Sequence, residues 1–263
     1  MTRFEGKAAL VTGGGGGIGS AIARRLAVEG AAVGVLDRRG DAAAAVSARV
    51  EAAGGHALPL TAEITDPDSV AVALTQMTNA IGAPDVLINN AAWAVKGDLE
   101  STGLADWKAE LEIDLDGQFV CAKAVLPGMV ARGAGAIVNI GSVNGLLALG
   151  NPAYSAAKAG LLSFTRSLAV EYGPKGIRAN MVSPGTVETD IETWRIRRQK
   201  NPKIFDQLAR WYPVGRVGQP EDIAAAVAFV AADEAGFVNG ANLVVDGGLT
   251  AGLPVMIEEL ILE

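Results

Sequence analysis

Short apolar runs alternate along this chain with longer stretches in which apolar residues recur at helical spacing. The runs fall at 8–12, 32–36, 57–62, 86–89, 136–140, 178–182 and 242–245. Those at 86–89 and 136–140 are almost unbroken, as in strands covered on both faces. After the first run, Ile18, Ile22 and Leu26 recur at i, i+4 and i+8, which lays one apolar helix face against a sheet. An alanine-rich helix is predicted over 41–53. Asp66 caps another, which opens with Pro67 and buries Val70, Leu74, Met77 and Ile81. Long helical patterns cover 104–132 and 152–172. Strands alternating with helices in this way predict βαβ units and a parallel sheet.

No linker or shift in composition interrupts the rhythm, which predicts one domain over 1–263. Residues 186–210 depart from it: they are polar, helical in propensity and inserted after a strand's carboxyl end, where α/β proteins build substrate lids. Composition then narrows the function. Of 263 residues, 50% are hydrophobic and 19% charged, too apolar a mixture for disorder. A single cysteine, Cys121, and a single histidine, His56, cannot furnish the usual zinc sites, so no metal is expected. A formal charge of −7 argues against a nucleic-acid partner. No apolar run approaches the roughly 20 residues of a membrane span. The first residues carry an acid and lead straight into a strand, unlike a signal peptide, so a cytoplasmic location is expected.

Three motifs carry chemistry. Residues Thr12 to Gly19 include five consecutive glycines between the first strand and first helix. Such a loop lets backbone approach a pyrophosphate, while the helix N-terminus supplies unpaired N–H groups. Two registers fit: Gly14, Gly16 and Gly19 as GxGxxG, or Gly13, Gly17 and Gly19 as TGxxxGxG. Asp37 follows the second strand, where a carboxylate accepts both ribose hydroxyls of an adenosine and repels a 2′-phosphate. That favours NAD, although Arg38 and Arg39 follow directly. Finally, Tyr154 and Lys158 lie four apart on one helix face, with Ser142 ending a strand upstream. A phenol working near neutrality needs its phenolate stabilised by about 4 kcal/mol, which an adjacent ammonium supplies in large part. A flexible turn, a solvated acid and an ordinary amphipathic helix would each explain one motif alone; their co-location at a sheet's carboxyl edge argues for chemistry.

In combination these residues resemble the short-chain dehydrogenase/reductase family from about Lys7 to Gly248, with Asn89-Asn90-Ala91, Ser183-Pro184-Gly185 and Asp246-Gly247-Gly248 as further matches. The resemblance implies a single-domain Rossmann fold, a doubly wound seven-stranded parallel sheet with helices on both faces. It implies Tyr154 as general acid/base, Ser142 polarising the reacting oxygen, and Lys158 lowering the tyrosine pKa while holding the nicotinamide ribose. The NAD-binding set would be Gly13, Gly17, Ile18, Gly19, Asp37, Glu63, Ile64, Asn90, Tyr154, Lys158, Pro184, Gly185, Val187 and Thr189. Glu63 stands where the family more often has an aspartate against adenine, and Val187 and Thr189 would meet the carboxamide. Trp93, Asn144 and Trp194 join Ser142 as candidate substrate residues. A homotetramer is expected, helped by the apolar tail at 249–263.

Two departures matter. Ala92 replaces the glycine of the family's NNAG. More consequentially, Asp114 stands where the family has a catalytic asparagine that kinks a helix and positions a water of the proton relay. Aspartate keeps the main-chain carbonyl but adds a buried charge, so activity should survive with a pH-perturbed relay. Of the remaining candidates, His56 reads as a surface residue in a loop, Cys121 as packing, and Trp107 as a helix contact. The lid's cationic residues, from Arg195 to Arg210, read as a solvated face or as capture of an anionic substrate. The expected activity is NAD-dependent oxidation of a secondary alcohol or sugar. An NADP-dependent ketone or 3-oxoacyl reductase, an epimerase or dehydratase, and a non-catalytic dinucleotide-binding regulatory protein are the alternatives.

Overall fold

The strands are β1 (Ala8–Thr12), β2 (Ala32–Asp37), β3 (His56–Thr61), β4 (Val86–Asn89), β5 (Gly135–Ile140), β6 (Ile177–Pro184) and β7 (Asn242–Val245). They pair in parallel in one sheet ordered β3-β2-β1-β4-β5-β6-β7. A computed structural model describes residues 2–94, 97–252 and 255 of the protein. The helices are α1 (Gly17–Val28), α2 (Gly40–Ala52), α3 (Pro67–Ile81), α4 (Leu104–Leu111), α5 (Gly117–Arg132), α6 (Pro152–Tyr172), α7 (Glu192–Lys200), α8 (Ile204–Ala209) and α9 (Pro220–Ala231).

Two apolar layers clamp the sheet. Ile22 and Leu26 of α1, Val46 of α2 and Val227 of α9 pack on one face with Val11 and Val138. Met77 of α3, Met129 of α5 and Leu168 of α6 pack on the other with Leu10 and Ile137. Coverage on both faces is why β1, β4 and the last five residues of β5 are buried end to end. Strand order reverses between β1 and β4, which pair through Leu10 and Leu87. That reversal opens a crevice at the carboxyl edge, the usual ligand position in open α/β sheets.

Several expectations need correction. The helical pattern at 104–132 is not one α-helix: a π turn at Glu112–Asp116 separates α4 from α5. Periodicity cannot register a single wide turn inside an otherwise helical run, and such turns cluster at functional sites. His56 is the first residue of β3 rather than a loop residue; it is exposed, its Nδ1 3.0 Å from Glu51 Oε1. β6 extends through Pro184, beyond the predicted end at 182. Leu74 and Ile81 are half-buried at the edge of their layer, whereas Val70 and Met77 are fully buried. α9 escaped the sequence reading altogether, although Gln219, Pro220 and Asp222 start it with a reciprocal cap. Its alanines and valines blur the amphipathic signal because one side packs on α1 and the other on β5 and β6. Cys121 is buried, and burial alone pushes its thiol up to about 12. The tail at 249–263 lies for the most part outside the described residues.

Candidate active site

Each motif emerges from a different strand at the carboxyl edge: the glycine loop from β1, Asp37 from β2, Asn90 from β4, Ser142 from β5 and Pro184 from β6. The glycine register is settled by backbone geometry. Gly13 and Gly17 have φ of 60° and 52°, the left-handed region, whereas Gly16 is extended at −174°. Gly19 is required for a different reason, because a Cβ there would lie 2.2 Å from the Gly13 carbonyl oxygen. Gly13, Gly17 and Gly19 therefore carry the turn.

Asn90 staples this loop from the next strand. Its Nδ2 donates to the carbonyls of Thr12 and Gly13, at 3.0 and 3.1 Å. Thr12 Oγ1 answers by accepting the N–H groups of Asn90 and Ala91. Thr12, the first residue of the motif, is the fully buried pin of the crevice. Behind it, Asn89 Nδ2 donates to Asn139 Oδ1, and Asn139 donates to Thr165 on α6, tying β4, β5 and α6 together.

Asp37 is buried where β2 ends. Its Oδ2 accepts the Gly15 N–H and its Oδ1 the Arg39 N–H, both at 3.0 Å, with Arg39 Nε 3.6 Å from Oδ1. An ionised carboxylate has about four acceptor positions, so these bonds orient it without exhausting it. Arg38 is exposed. Glu63 is exposed just beyond β3, and Ile64 is buried against Gly117.

A dinucleotide fits these residues. α1 begins with no acidic residue in its first turn and no side-chain cap, leaving its N–H groups for an anion. A Cβ on Gly16 would meet nothing nearer than Arg39 Nη2 at 3.8 Å, so the backbone there is open to approach. A groove of about 510 Å³ continues past Gly17 and Ser20 to Thr189 and Arg198. Thr189 Oγ1 is buried and without a partner among the described residues, a hydroxyl still owed a hydrogen bond. Val187 is buried and bridges to Gly218. Gly185 must be bare, because a Cβ would press on Tyr212 and Asp246. Ile18 is half-buried and packs beneath the loop.

The candidate reacting groups lie on α6 and two residues past the end of β5. Pro152 and the left-handed Asn151 (φ 52°) start α6, which carries Tyr154 and Lys158 one turn apart. The Lys158 ammonium lies 5.3 Å from the Tyr154 ring centre and donates to the Ile140 carbonyl at 3.2 Å. It also lies 3.0 Å from Asp114 Oδ1, both side chains being essentially buried. Asp114 Oδ2 accepts the Trp93 N–H. The carboxylate thus sits in the π turn between the lysine and the β4 loop. Ser142 Oγ accepts the Asn144 N–H at 3.1 Å and lies within bonding reach of the phenol.

Electrostatics at this cluster is a contest. Burial raises the Tyr154 pKa; Lys158 and Ser142 pull it down, while Asp114 and Glu110 push it up, for a net rise. Burial raises Asp114 above the usual carboxylate range despite Lys158. Burial pulls the Lys158 ammonium down, but Asp114 and Tyr154 together carry it above the ordinary lysine value. The net effect of aspartate here is to hold Lys158 charged while spending part of that charge.

The other candidates divide. Trp93 reaches the cluster through its bond to Asp114, and Asn144 through Ser142. Trp194 instead packs within the lid, 4.9 Å from Phe205 and under Arg197 at 4.5 Å. Arg198 is tied to Glu188 and Asp190, and Arg210 stacks on Trp211. Much of the lid's positive charge is therefore engaged internally. Among the described residues no group of acids, histidines and cysteines could hold a metal, and no helix is long and apolar enough to cross a membrane.

Comparison with known proteins matches residues 13–250 to a family model described as enoyl-(acyl carrier protein) reductase. A crystal structure of an oxidoreductase of the short-chain dehydrogenase/reductase family from Burkholderia thailandensis superposes with a TM-score of 0.90 at 46% identity, covering 98% of both chains. Cis-4-hydroxycyclohexanecarboxylate dehydrogenase of Sinomonas cyclohexanicum is 42% identical over 94% of this chain and 98% of its own. Meso-2,3-butanediol dehydrogenase of Serratia marcescens is 37% identical over 95% of this chain and 96% of its own.

Proposed function

The chain belongs to the short-chain dehydrogenase/reductase family of oxidoreductases, and from that premise we propose an NAD-dependent dehydrogenase that interconverts a secondary alcohol or sugar hydroxyl with its carbonyl. One observation carries the reading: Tyr154, Ser142 and Lys158 converge at the carboxyl edge beside a bare glycine cradle. Relatives named as dehydrogenases of a hydroxycyclohexanecarboxylate and of a butanediol support alcohol oxidation as the reaction.

In the oxidative direction Tyr154 takes the hydroxyl proton of the substrate while Ser142 holds the same oxygen. Bound NAD supplies an acceptor for the hydride that leaves the carbinol carbon. Lys158 stabilises the phenolate, and Asp114 keeps Lys158 protonated and in place. In reduction Tyr154 returns its proton to the carbonyl oxygen. Gly13, Gly17, Gly19 and the start of α1 would hold the pyrophosphate end, Asn90 would line the adenosine side, and Thr189 would offer its hydroxyl to the carboxamide.

Asp37 supports NAD over NADP. A 2′-phosphate beside it would meet a like charge and lose charge-assisted bonds worth about 1.5–3 kcal/mol each. The exposed Arg39 guanidinium lies 3.6 Å from Asp37 Oδ1 and offsets part of its charge, which is the feature that favours the NADP-dependent alternative. The proposed assembly is a cytoplasmic homotetramer, supported by exposed Leu104, Phe119 and Val170 on α4, α5 and α6. Sedimentation as a monomer at micromolar protein refutes that assembly.

The decisive experiment pairs an NAD⁺-reduction assay with Tyr154→Phe. Turnover should vanish while NAD binding, read by titration, persists. If the variant keeps more than a few per cent of kcat, Tyr154 is not the acid/base. A wild type that binds NAD and turns over no alcohol supports the regulatory alternative instead.

A further inference from the structure

Ser142 and Tyr154 are joined by only eleven residues, so the chain between them must arch from one to the other. The arch is braced at both ends. Leu146 and Leu147 both donate their N–H groups to the Val143 carbonyl, at 2.9 and 2.8 Å. The Gly150 carbonyl accepts Asn144 Nδ2 at 3.3 Å and Ser155 Oγ at 3.0 Å. Gly145 packs so closely on α6 that a Cβ would lie 2.9 Å from the Lys158 carbonyl carbon. The span is held against the reacting residues rather than hanging free.

What it offers a substrate is apolar. Leu146, Leu147 and Leu149, on the span between Ser142 and Tyr154, are 39, 41 and 50% exposed. No charged residue occurs from 142 to 157 in a chain that is otherwise 19% charged. Asn144 Oδ1 accepts from Ser142 Oγ at 3.4 Å and its Nδ2 donates to Gly150 at 3.3 Å, which orients the amide and leaves it one further N–H. From the β4 side comes Trp93, 37% exposed, its backbone N–H held by Asp114, the partner of Lys158. A second hydroxyl brought against these leucines would shed water and gain no hydrogen-bond partner from them.

We propose that the substrate is a compact, uncharged secondary alcohol with an apolar body, alicyclic or aryl-alkyl, and not a polyol or hydroxy acid. The leucine arch and Trp93 grip that body while Ser142 and Tyr154 take its one hydroxyl. This rests on the hydride-transfer reading above. Each unpartnered polar group should cost about tenfold or more in kcat/KM.

The test measures NAD⁺ reduction with cyclohexanol and 1-phenylethanol, with xylitol and sorbitol, and with lactate and 3-hydroxybutyrate. The two ring alcohols should exceed the other four in kcat/KM by at least about tenfold. Leu147→Gln should raise KM for the rings by about tenfold with a smaller effect on kcat. A polyol or hydroxy acid matching the rings overturns the proposal. So does a Leu147→Gln variant that alters sedimentation and leaves KM unchanged, since the arch would then face a second copy of the chain. A silent panel overturns the hydride-transfer reading; tryptophan quenching then judges the pocket by itself. Quenching by cyclohexanone and not fructose upholds its apolar class, and any other pattern rejects it.

Discussion

Asp114 Oδ1 lies 3.0 Å from the Lys158 ammonium, with the carboxylate fully buried and the lysine nearly so. Two charges removed from water hold together only because each compensates the other, and removing one leaves the second stranded. The π turn makes the contact: it widens the helix where Asp114 must face α6.

Asp114→Asn should move the ascending limb of kcat/KM for alcohol oxidation toward lower pH. The working form is the phenolate, present above the Tyr154 pKa, and Asp114 is one of the charges holding that pKa up. Removing it lowers the pKa and extends activity into more acid solution. An unmoved profile would show that the carboxylate does not act on the phenol.

Lys158→Met should cost about 3–5 kcal/mol at neutral pH, because it strands a buried carboxylate. Asp114 already titrates above its ordinary value, and loss of the cation lifts it further. A folded-state carboxyl pKa raised above the unfolded one favours the protonated native state, so stability is greatest at low pH and falls as pH rises past the unfolded value. Urea melts from pH 5 to 8 should show that slope, and adding Asp114→Asn should flatten it and restore part of the loss. Additive losses in the double variant would rule out the coupling.

Gly19→Ala should disrupt the β1–α1 turn, since its Cβ would stand 2.2 Å from a backbone oxygen that cannot move aside. The expected loss is about 1–3 kcal/mol or more. Gly16→Ala, extended and open, should keep a Tm close to wild type. Equal Tm values for the two variants would contradict this glycine register.

Wild type should prefer NAD⁺ over NADP⁺ by about 10- to 1,000-fold in kcat/KM, at 1.4 kcal/mol per factor of ten. Asp37→Ser should shrink or reverse the preference by removing the charge and the tether to Gly15. Asp37→Asn keeps an acceptor for Gly15 and removes only the charge. A shift in both variants assigns selectivity to charge, and a shift in the serine variant alone assigns it to loop position. Comparable use of both cofactors by wild type would remove Asp37 from that role.

Much of this protein was legible from local pattern. Apolar runs announced the seven strands of the described residues, most plainly β1, β4 and β5, because a strand buried on both faces has no polar face to show. Gly, Asp37, Ser142, Tyr154 and Lys158 stood out because each sits where a strand ends or on one turn of helix, so sequence spacing maps almost directly onto space. Contacts between distant segments followed no such spacing. That Asn90 would staple Gly13, that Thr12 would receive two amides, and that Gly15 would bind Asp37 depended on which strands became neighbours. The π turn was invisible because one wide turn leaves hydrophobic period intact, yet it sets the direction in which Asp114 points. Sequence alone determined that an aspartate replaces an asparagine; only packing against α6 decided that its charge would meet Lys158, because burial and partner belong to the tertiary structure and not to the residue.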